Sequence, residues 1–189
     1  MPQGFNKDLV RLQETSQYAT TKDFCRCFNE NLDALHQLAF LLTGDQETAE
    51  QCFVAGLEDC VKANNVFKEW ARSWAKRTII QNAIRRLQPH PKGASASVSA
   101  TVPVRGTRTH IRGGSGHSEI DRALALHDFE RFVFVMSVLV HYSDHDCAFL
   151  LSRSLREIRE ARVRAFQQIV GSHQSSAARE IINVPQETK

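Results

Sequence analysis

The stretch SDHDCAFLLSRSLREIREARVRA, residues 143–165, decides the reading of the fold. Ser143 with Asp146, and Ser154 with Glu157, each place a hydroxyl three residues before a carboxylate, the signature of a capped helix start. Between them lies room for a short helix, Asp144 to Leu151, and a tight turn at Ser152 and Arg153. Short helix, three-residue turn and longer basic helix make the outline of a helix-turn-helix. The second helix would bury Leu155, Ile158, Ala161, Ala165 and Ile169. It would present Arg153, Ser154, Arg156, Arg159, Arg162 and Arg164. Arginine at such a helix start reaches guanine edges in the major groove, and flanking arginines hold phosphates. An arginine-rich face that is merely solvated remains the alternative. Glu157 and Glu160 would repel a phosphate backbone unless they pair with neighbouring arginines at helical spacing.

Upstream, Ser118 with Asp121 repeats the capping signal before Ala123, Leu124 and Leu126, and apolar residues continue from Phe129 to Val140. Further back, the composition of 88–118 changes abruptly. Prolines, glycines, serines and threonines dominate it, no acidic residue occurs, and its charges are Lys92, Arg105, Arg108 and Arg112. Such a segment buries too little apolar surface to offset its ordering entropy, so a flexible basic linker is expected. A loop of this length within one compact domain would be unusual.

The region before it also reads as helical. Leu32, Leu35, Leu38, Ala39 and Leu42 form a stripe at helical spacing, and Gly44 stands where a helix stops. Asp45 can cap a helix through Ala49, Phe53 and Leu57 to Val61. A third helix is expected from Val66 to Leu87, with Phe67, Trp70, Ala71, Trp74, Thr78, Ala83, Ile84 and Leu87 on its apolar side. Lys68, Arg72 and Lys76 recur every four residues and share a face, which Arg77, Arg85 and Arg86 extend. Cations neutralise phosphates, and an aromatic ring such as Trp70 or Trp74 gives an unstacked base a surface to lie on. In the competing reading both tryptophans are core and the cations solvate the outer face.

The fold class expected is therefore all-α: two small helical domains, an N-terminal bundle and a C-terminal helix-turn-helix, joined by a flexible linker. The boundaries are 1–22 for a tail, 23–87, 88–118 for the linker, 119–170, and 171–189 for a polar tail. The 189 residues carry a formal net charge of +3, which permits a nucleic-acid partner without requiring one. No apolar run approaches the roughly 20 residues of a membrane span. The polar start, with Lys7, Asp8 and Arg11, lacks the apolar centre of a secretory signal, so a cytoplasmic protein without membrane insertion is expected. Cys25, Cys27, Cys52, Cys60 and Cys147 lack paired metal-type spacing and read as reduced thiols. No catalytic constellation, metal site or cofactor motif emerges, and no enzyme is expected.

The stretches LHQLAFLLTGDQETAEQ (35–51), FKEWARSWAKRTIIQNAIRR (67–86) and ERFVFVMSVLVHYSDHDCAFLLSRSLREIREARVRA (130–165) together resemble the extracytoplasmic-function group of bacterial sigma factors. The resemblance implies a monomer that binds core RNA polymerase and promoter DNA, with an anti-sigma factor as a further partner. The helix after Asp45, with Glu50, Gln51 and Val54, would dock on polymerase. The helix carrying Lys68, Trp70, Arg72, Lys76, Arg77, Arg85 and Arg86 would capture the melted minus-ten strand. The helix-turn-helix, through Arg153, Ser154, Arg156, Arg159 and Arg164, would read the minus-thirty-five duplex. The chain departs from the family pattern at Gln51 to Ala55 and at Arg162, where the family carries an apolar residue. A sigma-like interaction protein without initiation activity, or a plain helix-turn-helix regulator, are the other readings.

Overall fold

Thr20 opens the first helix of the computed structural model, which describes residues 17–63, 65–91 and 119–181, with the backbone alone at 119 and 172–181. The Thr20 hydroxyl accepts from the Asp23 N–H at 3.4 Å, and the Asp23 carboxylate accepts from the Thr20 N–H at 2.9 Å. Two orphan amides are thereby satisfied, and α1 runs Thr21–Glu30. Helix α2, Leu32–Thr43, stops at Gly44, whose φ of 71° lies in the left-handed region that glycine enters without strain. Asp45 then accepts the N–H and hydroxyl of Thr48 at 2.8 and 2.7 Å and starts α3, Gln46–Lys62.

Those hydrogen bonds, the side-chain one foremost, hold the Asp45 carboxyl below its usual range. The sign follows directly: the stabilisation is present above the ordinary aspartate range and fades as pH falls through the lowered folded value. Asp45→Ala is expected to cost about 1 kcal/mol, the usual worth of an N-cap. Urea unfolding of both proteins should show that difference at neutral pH and a narrowing of it in acid.

A 3₁₀ turn, Lys68–Trp70, leads into α4, Ala71–Leu87. The helix expected from Val66 thus starts later. The Val66 carbonyl instead accepts from the Ala19 N–H at 2.7 Å, which holds this stretch extended against Tyr18. The core of this unit gathers Phe24, Phe28, Leu35, Leu42, Cys52, Ile79 and Ile80. On α4 the buried residues are Ala71, Ala75, Thr78, Ile79, Ile80, Asn82 and Ala83, whereas Trp70 is 57% exposed and Trp74 36% exposed. This corrects the expected apolar side. The reason sits on α3: a Cβ at Gly56 would lie 2.8 Å from Ile79 Cγ1 and 3.3 Å from the Ile79 nitrogen. Two helices this close admit alanine and isoleucine between them, not an indole.

The second unit comprises α5, Glu119–Ala125; α6, Asp128–Phe134; a π-helical turn, Val135–Leu139; α7, Asp144–Leu151; and α8, Leu155–Ile181. Phe129, Phe132, Val135, Met136, Cys147, Ile158, Ala161 and Ala165 form its core. Two of the three expected capping pairs are present, and Ser118 of the third lies outside the described residues. Ser143 Oγ accepts from the Asp146 N–H at 3.1 Å, and Ser154 Oγ accepts from the Glu157 N–H at 3.3 Å. Between them Ser152 turns the chain at φ 52°, and the Arg153 N–H donates to the Ala148 carbonyl at 2.9 Å. Helix α8 continues past residue 170, through part of what composition marks as a polar tail.

The described residues are helical, with no strand among them and one isolated bridge between Tyr18 and Phe67. Backbone contacts group the chain into Met1–Gln88 and Pro89–Lys189. Residues 92–118 of the expected linker, including the Ser118 cap, lie outside the described residues, as do 1–16 and 182–189. No described helix is long and apolar enough to cross a membrane.

Candidate nucleic-acid interface

The cations of α4 and its leading turn divide by partner. Lys68 lies 3.7 Å from Asp23; Arg85 donates to Asp59 at 3.1 Å and to the Asn82 side chain at 3.2 Å; Arg86 donates to Gln51 at 2.7 Å. Arg72, Lys76 and Arg77 have no ion-pair partner among the described residues. At roughly 100° per residue, Arg72 and Lys76 share one flank, while Trp74 and Arg77 share another in line with Trp70. The tryptophans are therefore not core, as the competing reading had them, nor are they interleaved with the Lys68 series. Phe67 links the aromatic side together, its ring centroid 4.9 Å from Tyr18 and 5.0 Å from Trp70. An exposed ring beside an unpaired guanidinium is suited to a base and its phosphate.

Of the residues placed against polymerase by resemblance, Glu50, Gln51 and Val54 come together. With Ala55, Glu58 and Arg86 they line an open groove of about 390 Å³. Glu50 accepts from Gln46 at 2.9 Å, and Val54 stands exposed. Asp45 is absent from that lining, its carboxylate committed to Thr48.

On α8 and the turn before it the arginines part company. Arg156 and Arg159 face outward, with Arg156 Nε 2.7 Å from Glu160 and Arg159 Nε 3.3 Å from Asp144. Arg162 donates to the same, largely buried Asp144 at 2.5 Å, which explains a cation where the family pattern has an apolar residue. Arg164 turns inward, its Nε 2.9 Å from the fully buried Glu130. Ser154 is taken by the cap, and Arg153 is half-buried at the turn. Glu160 pairs with an arginine as helical spacing suggested. Glu157 instead serves the cap, where the Ser154 hydroxyl and then its N–H hold the carboxyl below the usual range.

The sequence reading missed the Tyr18–Phe67–Trp70 array. Thr20 with Asp23 carries the same capping signal as Ser143 with Asp146, and would have located the structured start of this unit. Four of the five cysteines are buried, and burial pushes the Cys60 and Cys147 thiols up to about 11, so at neutral pH they stay protonated. No grouping of three or more His, Cys, Asp or Glu side chains able to hold a metal occurs among the described residues. No family model, curated protein or solved structure matches this chain.

Proposed function

We propose that this chain is an alternative sigma factor, a subunit that directs core RNA polymerase to specific promoters and acts by binding rather than by catalysis. The observation that carries the reading is that one chain presents two surfaces of different chemistry. One presents Trp70 and Trp74 beside Arg77, chemistry fitted to single-stranded bases. The other is a helix-turn-helix with Arg156 and Arg159 outward, chemistry fitted to a duplex groove. Joined by the linker expected at 88–118, two weak sites would gain by effective concentration what each lacks alone.

Purified chain added to core polymerase is expected to yield discrete transcripts from a cognate promoter. Failure to bind core polymerase at micromolar concentration would overturn the proposal. Arg156→Ala or Arg159→Ala should weaken duplex binding by roughly 1–3 kcal/mol where the arginine reads a base. Unchanged promoter affinity in both variants would place the reading face elsewhere. The groove favours a second reading. Gln51, Val54 and Ala55 put neutral and apolar groups on the surface assigned to polymerase, as in a sigma-like protein that occupies polymerase or a regulator without initiating. Core binding without transcripts from any promoter would select it.

A further inference from the structure

We infer that Tyr18, through Phe67, is a positioning residue for the Trp70 stacking surface, so that the segment before α1 sets the affinity of this unit for single-stranded nucleic acid. The inference rests on the proposed role of Trp70 and deepens it. Trp70 sits at the last position of the 3₁₀ turn, more than half exposed, where an indole would ordinarily sample several rotamers. Binding a base there would carry the entropy of fixing that ring, unless the free protein has already fixed it.

The segment from Tyr18 to Asp23 grips the stretch from Val66 to Trp70 at successive points. The Ala19 N–H donates to the Val66 carbonyl at 2.7 Å, the Tyr18 ring lies on Phe67 at 4.9 Å, and Asp23 meets Lys68 at 3.7 Å. Phe67, held this way, meets Trp70 at 5.0 Å with the ring planes at 77°, an edge-to-face contact that restrains the indole. The Trp70 N–H also donates to the Phe67 carbonyl at 3.0 Å, so backbone and ring are set by the same residue. Tyr18 is itself only half-buried and lies outside the core of Phe24, Leu35 and Ile79, so its loss bears on the ridge more than on the fold.

The test reads binding on the full chain with both tryptophans in place, and the exposure of Trp70 on the same chain carrying Trp74→Phe, which leaves Trp70 as its sole tryptophan, since the chain has two. Binding is followed by the fluorescence anisotropy of an end-labelled, short mixed-sequence single-stranded oligodeoxynucleotide, with iodide quenching of the free Trp74→Phe protein and a thermal melt alongside. Tyr18→Leu is expected to weaken binding by about two- to tenfold, the equivalent of one aromatic pair. It should also make Trp70 more accessible to iodide, while Tyr18→Phe keeps both properties. Parental affinity and iodide accessibility in Tyr18→Leu overturn the inference, as does loss of binding in a folded Tyr18→Phe. Should Tyr18→Leu melt early, Trp70 accessibility well below its transition decides in the same way. Trp70→Leu separates the two levels. If it binds the oligonucleotide as the parent does, the stacking role falls and the inference with it; if it loses binding while Tyr18→Leu does not, the positioning role alone falls.

Discussion

Arg164→Ala is expected to destabilise the second unit by about 3 kcal/mol, near the lower end for breaking a buried ion pair. The Glu130 side chain is 1% exposed, in a unit whose core holds Phe129, Phe132 and Ile158. Its Oε1 lies 2.9 Å from Arg164 Nε, and its Oε2 lies 3.2 Å from His127 Nδ1, an ion-pair distance without hydrogen-bond alignment. Removing the guanidinium leaves a buried carboxylate with one imperfect neighbour among the described residues. Arg164 is 36% exposed, so water reaching the vacated space limits the loss. The pair Glu130→Met with Arg164→Met should by contrast be close to neutral, because an apolar replacement removes desolvation and attraction together. Urea unfolding of the single and double variants measures both. A loss below about 1 kcal/mol in Arg164→Ala would mean that the carboxylate finds solvent, and that the pair is a surface one. The same experiment sorts the arginines by role. On the proposed function, Arg164→Ala should lose duplex binding only as it unfolds, whereas Arg156→Ala should lose it while folded.

What could be read from the sequence was local. Gly44, Asp45, Ser143 with Asp146, and Ser154 with Glu157 each set a helix end through bonds within a few residues, and α2, α3, α7 and the start of α8 lie where those residues put them. What was hidden depends on residues distant in the chain. The buried side of α4 is chosen by Gly56 on another helix, so the Trp70 side, apolar by composition, ends outside. Arg162 and Arg164 resemble Arg156 in sequence and differ because Asp144 and Glu130 reach them. The length of α8 was hidden for a different reason: polar composition after Val170 is not a stop signal, and the next proline is Pro185. Of the candidate site, the presence of cations was legible. Which of them have partners was not.

Gly56 sets the second large effect, because it governs how α3 and α4 meet. In Gly56→Ala the new methyl would stand 2.8 Å from Ile79 Cγ1, while the helix interior gains roughly 1 kcal/mol from replacing glycine. These contributions oppose each other, and a small net loss is expected. Gly56→Val adds two branches aimed at the same place and surrenders part of the propensity gain. Moving Ile79 alone cannot relieve it, since the Ile79 backbone nitrogen is itself 3.3 Å from the added Cβ. The helices must separate, and a loss of about 3 kcal/mol follows, the upper part of the usual range for overpacking. Separation would also carry function with it. Helix α3 supplies Glu50, Gln51 and Val54 to the groove, α4 supplies Arg86, and α4 also carries Trp74 and Arg77. On the proposed function, Gly56→Val should therefore weaken core-polymerase and single-strand binding together, under conditions where Arg156→Ala affects only duplex binding. Equal melting temperatures for parent, Gly56→Ala and Gly56→Val would show that α3 and α4 do not pack as closely as the Gly56–Ile79 contact requires.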